Sequence, residues 1–327
     1  MLVNEALEIT GCMSGGGRMS RDQDLPQRVD IPDEVKEAAK LGSLILFVGA
    51  GVSRLLGLPS WEGLANSVLR ELRNKRFINF SELDQLMTLD PKKQLSIAST
   101  IAEENHHNIN YPDHLKVKEN KQGIYEYINN IGCCCVTTNY DELLEPKFLE
   151  NDDGSTTTPK TTRVIAKSDF RSKLLDEPGT VVHLHGCVSD PSSMVVTTKD
   201  YLEHYDDRNV QAFLGQLFSS KTVVFLGYGL EEAEILEHIL RRGGVDRIDE
   251  KKRFLLQGFF LSQKPLYNEL SKYYKSSFGV NLLGFCRDHH DHSELENIIR
   301  DWVAEIDVQK PKLKADVDFM EEVLKDG

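Results

Sequence analysis

The chain has 327 residues, 40 % apolar and 28 % charged, enough to bury a globular core and inconsistent with a fibrous or wholly disordered architecture. Its 39 basic and 52 acidic side chains leave a net charge of −13, which repels a phosphate backbone and argues against bulk nucleic-acid binding. No apolar run approaches the roughly 20 residues that span a bilayer, and the first residues lack a charged-then-apolar leader pattern, so a cytoplasmic protein without a membrane partner is expected.

Residues 1–30 mix Gly15, Gly16 and Gly17 with scattered charge and read as a flexible tail. Pro32 suits the first turn of a helix through Val35, Ala38 and Ala39 that stops at Gly42. The apolar run Ser43 to Val48, flanked by glycines, is the pattern of a parallel strand covered on both faces. From about 60 to 130 the chain reads as an inserted helical layer, with Ser60 placed as an N-cap before Leu64, Val68 and Leu72 at helical spacing. Glu71 falls on that first helix. Further strands are expected at Cys133 to Thr137, Thr180 to Leu184, Thr222 to Leu226, Phe254 to Leu261 and Val280 to Phe285, while Asn151 to Thr162 has the composition of a surface loop.

The six cysteines, at 12, 133, 134, 135, 187 and 286, form no Cys-x-x-Cys pair, and Cys133, Cys134 and Cys135 read as small residues of a strand core. Strands alternating with helices predict an α/β fold, a doubly wound, mostly parallel Rossmann-like sheet with a helical insertion, occupying residues 31–310 ahead of a C-terminal helix or tail at 311–327. In such sheets ligands sit beyond the carboxyl ends of the strands.

Four strand ends carry residues suited to chemistry. Gly49-Ala50-Gly51-Val52-Ser53 follows the first strand and fits a loop approaching a pyrophosphate, although Arg54 stands at the third glycine of the usual dinucleotide spacing; the alternative is a bare strand-to-helix turn. Thr137-Thr138-Asn139-Tyr140-Asp141 delivers an amide and a carboxylate able to orient a ribose, a carboxamide or a water, or else to cap a helix. Strand periodicity puts His183 and His185 on one face, with His185, next to Gly186, the better placed base and His183 a candidate structural histidine. Gly227-Tyr228-Gly229-Leu230 supplies a second glycine turn, able to hold the adenosine half of a dinucleotide or serving as ordinary turn chemistry.

GAGVS, then Gly57-Leu58-Pro59-Ser60-Trp61, then TNYD, HG and GYGL, over about residues 43 to 242, resembles the motif order of sirtuins, and the pattern after 250 is similar to the tail of bacterial sirtuin-like proteins of phage defence. The resemblance implies NAD as substrate, with Ala50, Gly51 and Ser53 at the phosphates beside Gly49, Asn139 and Asp141 by the nicotinamide ribose, and His185 as base. Thr138 stands where sirtuins carry Gln. Protein deacylases of the family carry a four-cysteine zinc module after the HG motif, whereas only Cys187 lies between His185 and Gly227, so no zinc is expected.

The implied activity is cleavage of the nicotinamide–ribose bond with water as acceptor, giving nicotinamide and ADP-ribose, in an anti-phage effector that depletes NAD. A deacylase or ADP-ribosyltransferase, or a non-catalytic NAD-sensing subunit, are the alternatives. Because unchecked NAD hydrolysis harms a host, restraint by self-assembly into a homo-oligomer or by a separate partner is expected, with a motor ATPase or sensor suggested by family analogy. Phe259, Phe260, Tyr267, Tyr273 and Tyr274 serve either an interface or the core.

Overall fold

A computed structural model describes residues 25–116, 123–146, 163–230, 233–243 and 252–308. The strands are β1 (Leu44–Val48), β2 (Cys134–Thr137), β3 (Arg163–Val164), β4 (Val181–His183), β5 (Thr222–Leu226), β6 (Arg253–Phe259) and β7 (Asn281–Cys286). The helices in chain order are α1 (Asp33–Lys40), α2 (Ala50–Arg54), α3 (Trp61–Asn74), α4 (Phe80–Leu86), α5 (Pro91–Glu104), α6 (Tyr111–His114), α7 (Ile124–Ile131), α8 (Thr198–Tyr205), α9 (Arg208–Ser220), α10 (Ala233–Gly243), α11 (Lys264–Phe278) and α12 (Glu294–Val303).

All strand pairs are parallel, and the order across the sheet is β3-β4-β2-β1-β5-β6-β7. Every residue of β1 and β5 is buried, because strand alternation sends Ile45, Phe47, Val223 and Phe225 into one helical layer and Leu44, Leu46, Val48, Val224 and Leu226 into the other. The first layer packs Val210, Phe213 and Leu217 of α9 with Ile235 and Ile239 of α10. The second packs Val35 and Ala39 of α1, Ile128 of α7 and Trp302 of α12. The doubly wound α/β expectation therefore holds. The chain leaves β1 toward β2, β4 and β3 on one side and toward β5, β6 and β7 on the other, which opens a crevice outside the carboxyl end of β1.

The expected helical insertion between β1 and β2 is α3 to α7. The Ser60 side chain accepts the Gly63 amide at 3.1 Å, and Leu64, Val68 and Leu72 are buried against Leu95 and Ala98 of α5 in a third core. Glu71 lies on α3, where one carboxylate oxygen meets His107 at 2.7 Å and the other meets His114 at 2.8 Å. Cys133, Cys134 and Cys135 are buried, and burial pushes the Cys134 thiol well up, as expected of core cysteines rather than nucleophiles.

Several boundaries differ from the sequence reading. Residues 25–30, assigned to the tail, are pinned: Leu25 is buried, the Pro26 carbonyl accepts the Cys286 amide at 2.8 Å, and the Val29 carbonyl accepts the Trp302 indole at 2.8 Å. Strand β6 stops at Phe259, two residues early, where Gln263 caps the Phe260 amide and turns the chain toward α11. Strand β3 was not foreseen; two residues carry no readable period. The expected loop Asn151 to Thr162, the tail residues 1–24 and the segment 311–327 lie outside the described residues. Among the described residues no helix is long and apolar enough to cross a membrane.

Candidate active site

A cavity of about 450 Å³ opens at the carboxyl edge of the sheet, within the size range of small-molecule sites. Four strand ends converge on it: Ala50 and Ser53 after β1, Thr138 to Asp141 after β2, His185 after β4, and Gly227, Tyr228 and Gly229 after β5. Of the residues singled out from the sequence, Gly49 and Gly51 do not line it. The Gly49 amide donates to the Leu226 carbonyl at 2.9 Å and the Gly51 amide to the Gly227 carbonyl at 2.8 Å. A Cβ at either glycine would come within 2.7 Å of the Gly227 carbonyl oxygen. These two glycines thus join the β1 and β5 turns edge to edge, and their backbone amides serve that junction instead of an anion.

Asn139 and Asp141 do not cap a helix, since no helix follows β2 among the described residues up to 146. They are buried together with Ser53 in one hydrogen-bonded group. The Ser53 hydroxyl donates to Asp141 Oδ2 at 2.7 Å. Asn139 Nδ2 donates to the Gly49 carbonyl at 3.1 Å and to Ser53 Oγ at 2.9 Å, with the Tyr125 hydroxyl 3.2 Å away. Burial pushes the Asp141 carboxyl above its ordinary range, opposed by the donors from Ser53, the Leu143 amide and Tyr125. Asn139 Oδ1 is buried without a hydrogen-bond partner among the described residues.

Strand β4 ends at His183, so alternation no longer governs the chain at His185, and the two histidines part company. His183 Nδ1 lies 3.2 Å from the Asn139 carbonyl, and His183 does not line the cavity; burial pushes it down to about 4. His185 lines the cavity while only 1 % exposed, seated among the rings of Tyr201, His204 and Tyr205. Its Nε2 is 2.8 Å from the Tyr205 hydroxyl, outside the cavity, and its Nδ1 is 3.5 Å from the hydroxyl of Tyr201, which lines it. Burial, then His204 and Lys92, hold the imidazole well below its ordinary value, so it is neutral at pH 7.

The sequence reading missed the opposite wall. Lys92 at the start of α5 pairs with Glu234 of α10 at 2.9 Å, and its ammonium lies 3.8 Å from the centre of the Tyr201 ring. Trp61, Leu64 and Leu115 of the helical layer also face the space, with the Trp61 ring stacked on Tyr140 at 5.9 Å. Leu58, Pro59 and Trp61, noted only as part of a motif order, line the cavity directly together with the N-cap Ser60. Nothing in local spacing signals Lys92 or Glu234, which are 142 positions apart.

Residues 134–276, from β2 into α11, match the family model described as a SIR2-like domain. The chain is 27 % identical over 288 residues to a protein named NAD(+) hydrolase ThsA from Enterococcus faecium, a match covering 81 % of this chain and 56 % of the relative. A second NAD(+) hydrolase ThsA, from Bacillus cereus (strain MSX-D12), is 28 % identical over 218 residues, 65 % of this chain and 42 % of the relative. Defense-associated sirtuin 2 of Bacillus subtilis is 23 % identical over 297 residues, 85 % of this chain and 27 % of the relative. The chain thus spans about half or less of the length of these curated relatives. The resemblance to sirtuins carried by its motif order is borne out by the match of residues 134–276 to the SIR2-like model and by these relatives.

Proposed function

We propose that this chain is an NAD hydrolase that binds NAD in the cavity beyond β1, β2, β4 and β5 and cuts the bond joining nicotinamide to ribose, giving nicotinamide and ADP-ribose. The observation that carries the reading is the convergence of Ser53, Asn139, Asp141 and His185, from three strand ends, on one cavity. Two of the relatives are named as NAD(+) hydrolases, which favours the same reading.

Loss of nicotinamide leaves a ribose of oxocarbenium character, so the site must stabilise positive charge and admit one acceptor. The buried Asp141 carboxylate supplies the charge. Asn139 Oδ1, without a hydrogen-bond partner among the described residues, is an acceptor for a ribose hydroxyl or for the attacking water. His185 then takes the released proton. Its burial disfavours imidazolium in the empty cavity, and the anionic pyrophosphate of a bound substrate favours it. Water is favoured as acceptor because the sequence after the HG motif lacks the cysteines of the acyl-lysine module.

A role as a NAD-depleting effector of phage defence is part of the proposal, supported by the relative named as a defence-associated sirtuin, as is restraint by self-assembly or by a partner. Incubating the purified protein with NAD, with and without an acetylated peptide, and resolving products by chromatography tests the activity. Equal amounts of nicotinamide and ADP-ribose, independent of peptide, are expected. Peptide-dependent release, or binding without release, would contradict it.

A further inference from the structure

Asn139 presents its Oδ1 to the cavity only if its amide is turned with Nδ2 inward, and the inward side is well defined. The Gly49 carbonyl, 3.1 Å from Nδ2, can only accept, so the flipped amide would set two oxygens against each other. Ser53 has one hydroxyl proton, committed to Asp141 Oδ2 at 2.7 Å, so toward Asn139 it too acts as an acceptor. The remaining member is Tyr125 of α7, which is 1 % exposed and whose ring packs in the core beside Ile124 and Ile128. Its hydroxyl lies 2.8 Å from Ser53 Oγ and 3.2 Å from Asn139 Nδ2, and it also bonds to Asp141. With the Ser53 proton directed to Asp141, the single Tyr125 hydroxyl proton is shared between Ser53 Oγ and Asp141, and the Tyr125 oxygen is one of three acceptors grouped around the two protons of Asn139 Nδ2.

We infer that Tyr125 is a positioning residue for the hydrolysis proposed above: from the helical layer its hydroxyl locks Ser53, Asp141 and Asn139 in register, so that Asn139 Oδ1 faces the reacting ribose and its water. Tyr125 does not line the cavity and acts through Asn139. Burial and the neighbouring Asp141 carboxylate keep the phenol protonated throughout the working pH range, as a permanent donor requires. A ring filling space would be served equally well by Phe; the hydroxyl has meaning only for this group.

The inference rests on the hydrolase reading and is tested by Tyr125→Phe, which keeps the ring. Thermal unfolding and the Kd for NAD should stay close to the parent, while kcat falls about tenfold or more and KM changes less than twofold. In an Asn139→Ala background, where only slow residual release of labelled nicotinamide is followed, adding Tyr125→Phe should change the rate less than twofold, because the residue through which it acts is gone. A kcat for Tyr125→Phe within twofold of the parent overturns the inference, as does an undiminished effect in the Asn139→Ala background. Should Tyr125→Phe fail to fold, Ser53→Ala carries the test from the other side: loss of kcat with KM kept supports the relay, and an unchanged kcat overturns it. A parent protein that releases no nicotinamide overturns the hydrolase reading itself, a result distinct from a silent Tyr125 substitution in an active parent.

Discussion

At the scale of single residues, burial decides which titratable groups can work. His183, His185 and His204 are all at most 1 % exposed and are all held in the neutral form by desolvation, His183 and His204 down to about 4. In the unfolded chain each returns to about 6.5. Between those values the unfolded state binds protons that the folded state does not, so stability rises with pH there. It is complete above about 6.5 and is lost as pH falls toward about 4. The loss at pH 5 relative to pH 7.5 is on the order of 2 kcal/mol for each of His183 and His204, and His185 acts in the same direction, so the urea midpoint should drop markedly at unchanged slope. Asp141, raised by burial, contributes with the opposite sign and softens the loss in the acid range. Equal midpoints at the two pH values would show that these imidazoles take up protons in the folded state.

At the scale of elements, the site depends on the junction of two turns. Gly227 has φ +57°, and a Cβ there would fall 2.4 Å from the Val52 amide nitrogen and 2.9 Å from the Gly51 carbonyl carbon, all backbone that cannot swing aside. Gly227→Ala should therefore cost about 2–4 kcal/mol and weaken NAD binding with it, read as a lower melting temperature and a higher Kd. A variant of parental stability would show that the two turns are not locked. The same junction explains what the sequence could convey. Strand ends at Val48, Thr137 and Leu226 were legible because short apolar runs flanked by Gly or by polar residues have few other uses, and they placed Ser53, Asn139, Asp141 and Gly227 at one edge. The direction of the glycine amides was not legible, because whether an amide faces an anion or a neighbouring carbonyl depends on β5, which is remote in sequence. Tyr125 was hidden for a related reason: on an amphipathic helix its period is that of Ile124 and Ile128, and its hydroxyl becomes informative only when Ser53 and Asn139 stand opposite.

At the scale of the whole molecule, the doubly wound sheet makes the crevice and the helical insertion closes it. Winding outward from β1 in both directions brings β2, β4 and β5 around one opening, as the general rule for open α/β sheets requires. The insertion then contributes Trp61, Lys92 and Leu115, and Lys92 is tied to α10 through Glu234. Fold class and insertion were readable from strand and helix order; the Lys92–Glu234 closure was not, since charged surface residues at that separation carry no pairing signal. On the proposed function, this one cavity both holds NAD and cuts it, with His185 as proton acceptor. The most direct measurement is calorimetric NAD binding alongside nicotinamide release for the parent and for His185→Ala. The account predicts binding within a few-fold of the parent and release slower by about 10² to 10⁴. Release at the parental rate from His185→Ala would contradict it.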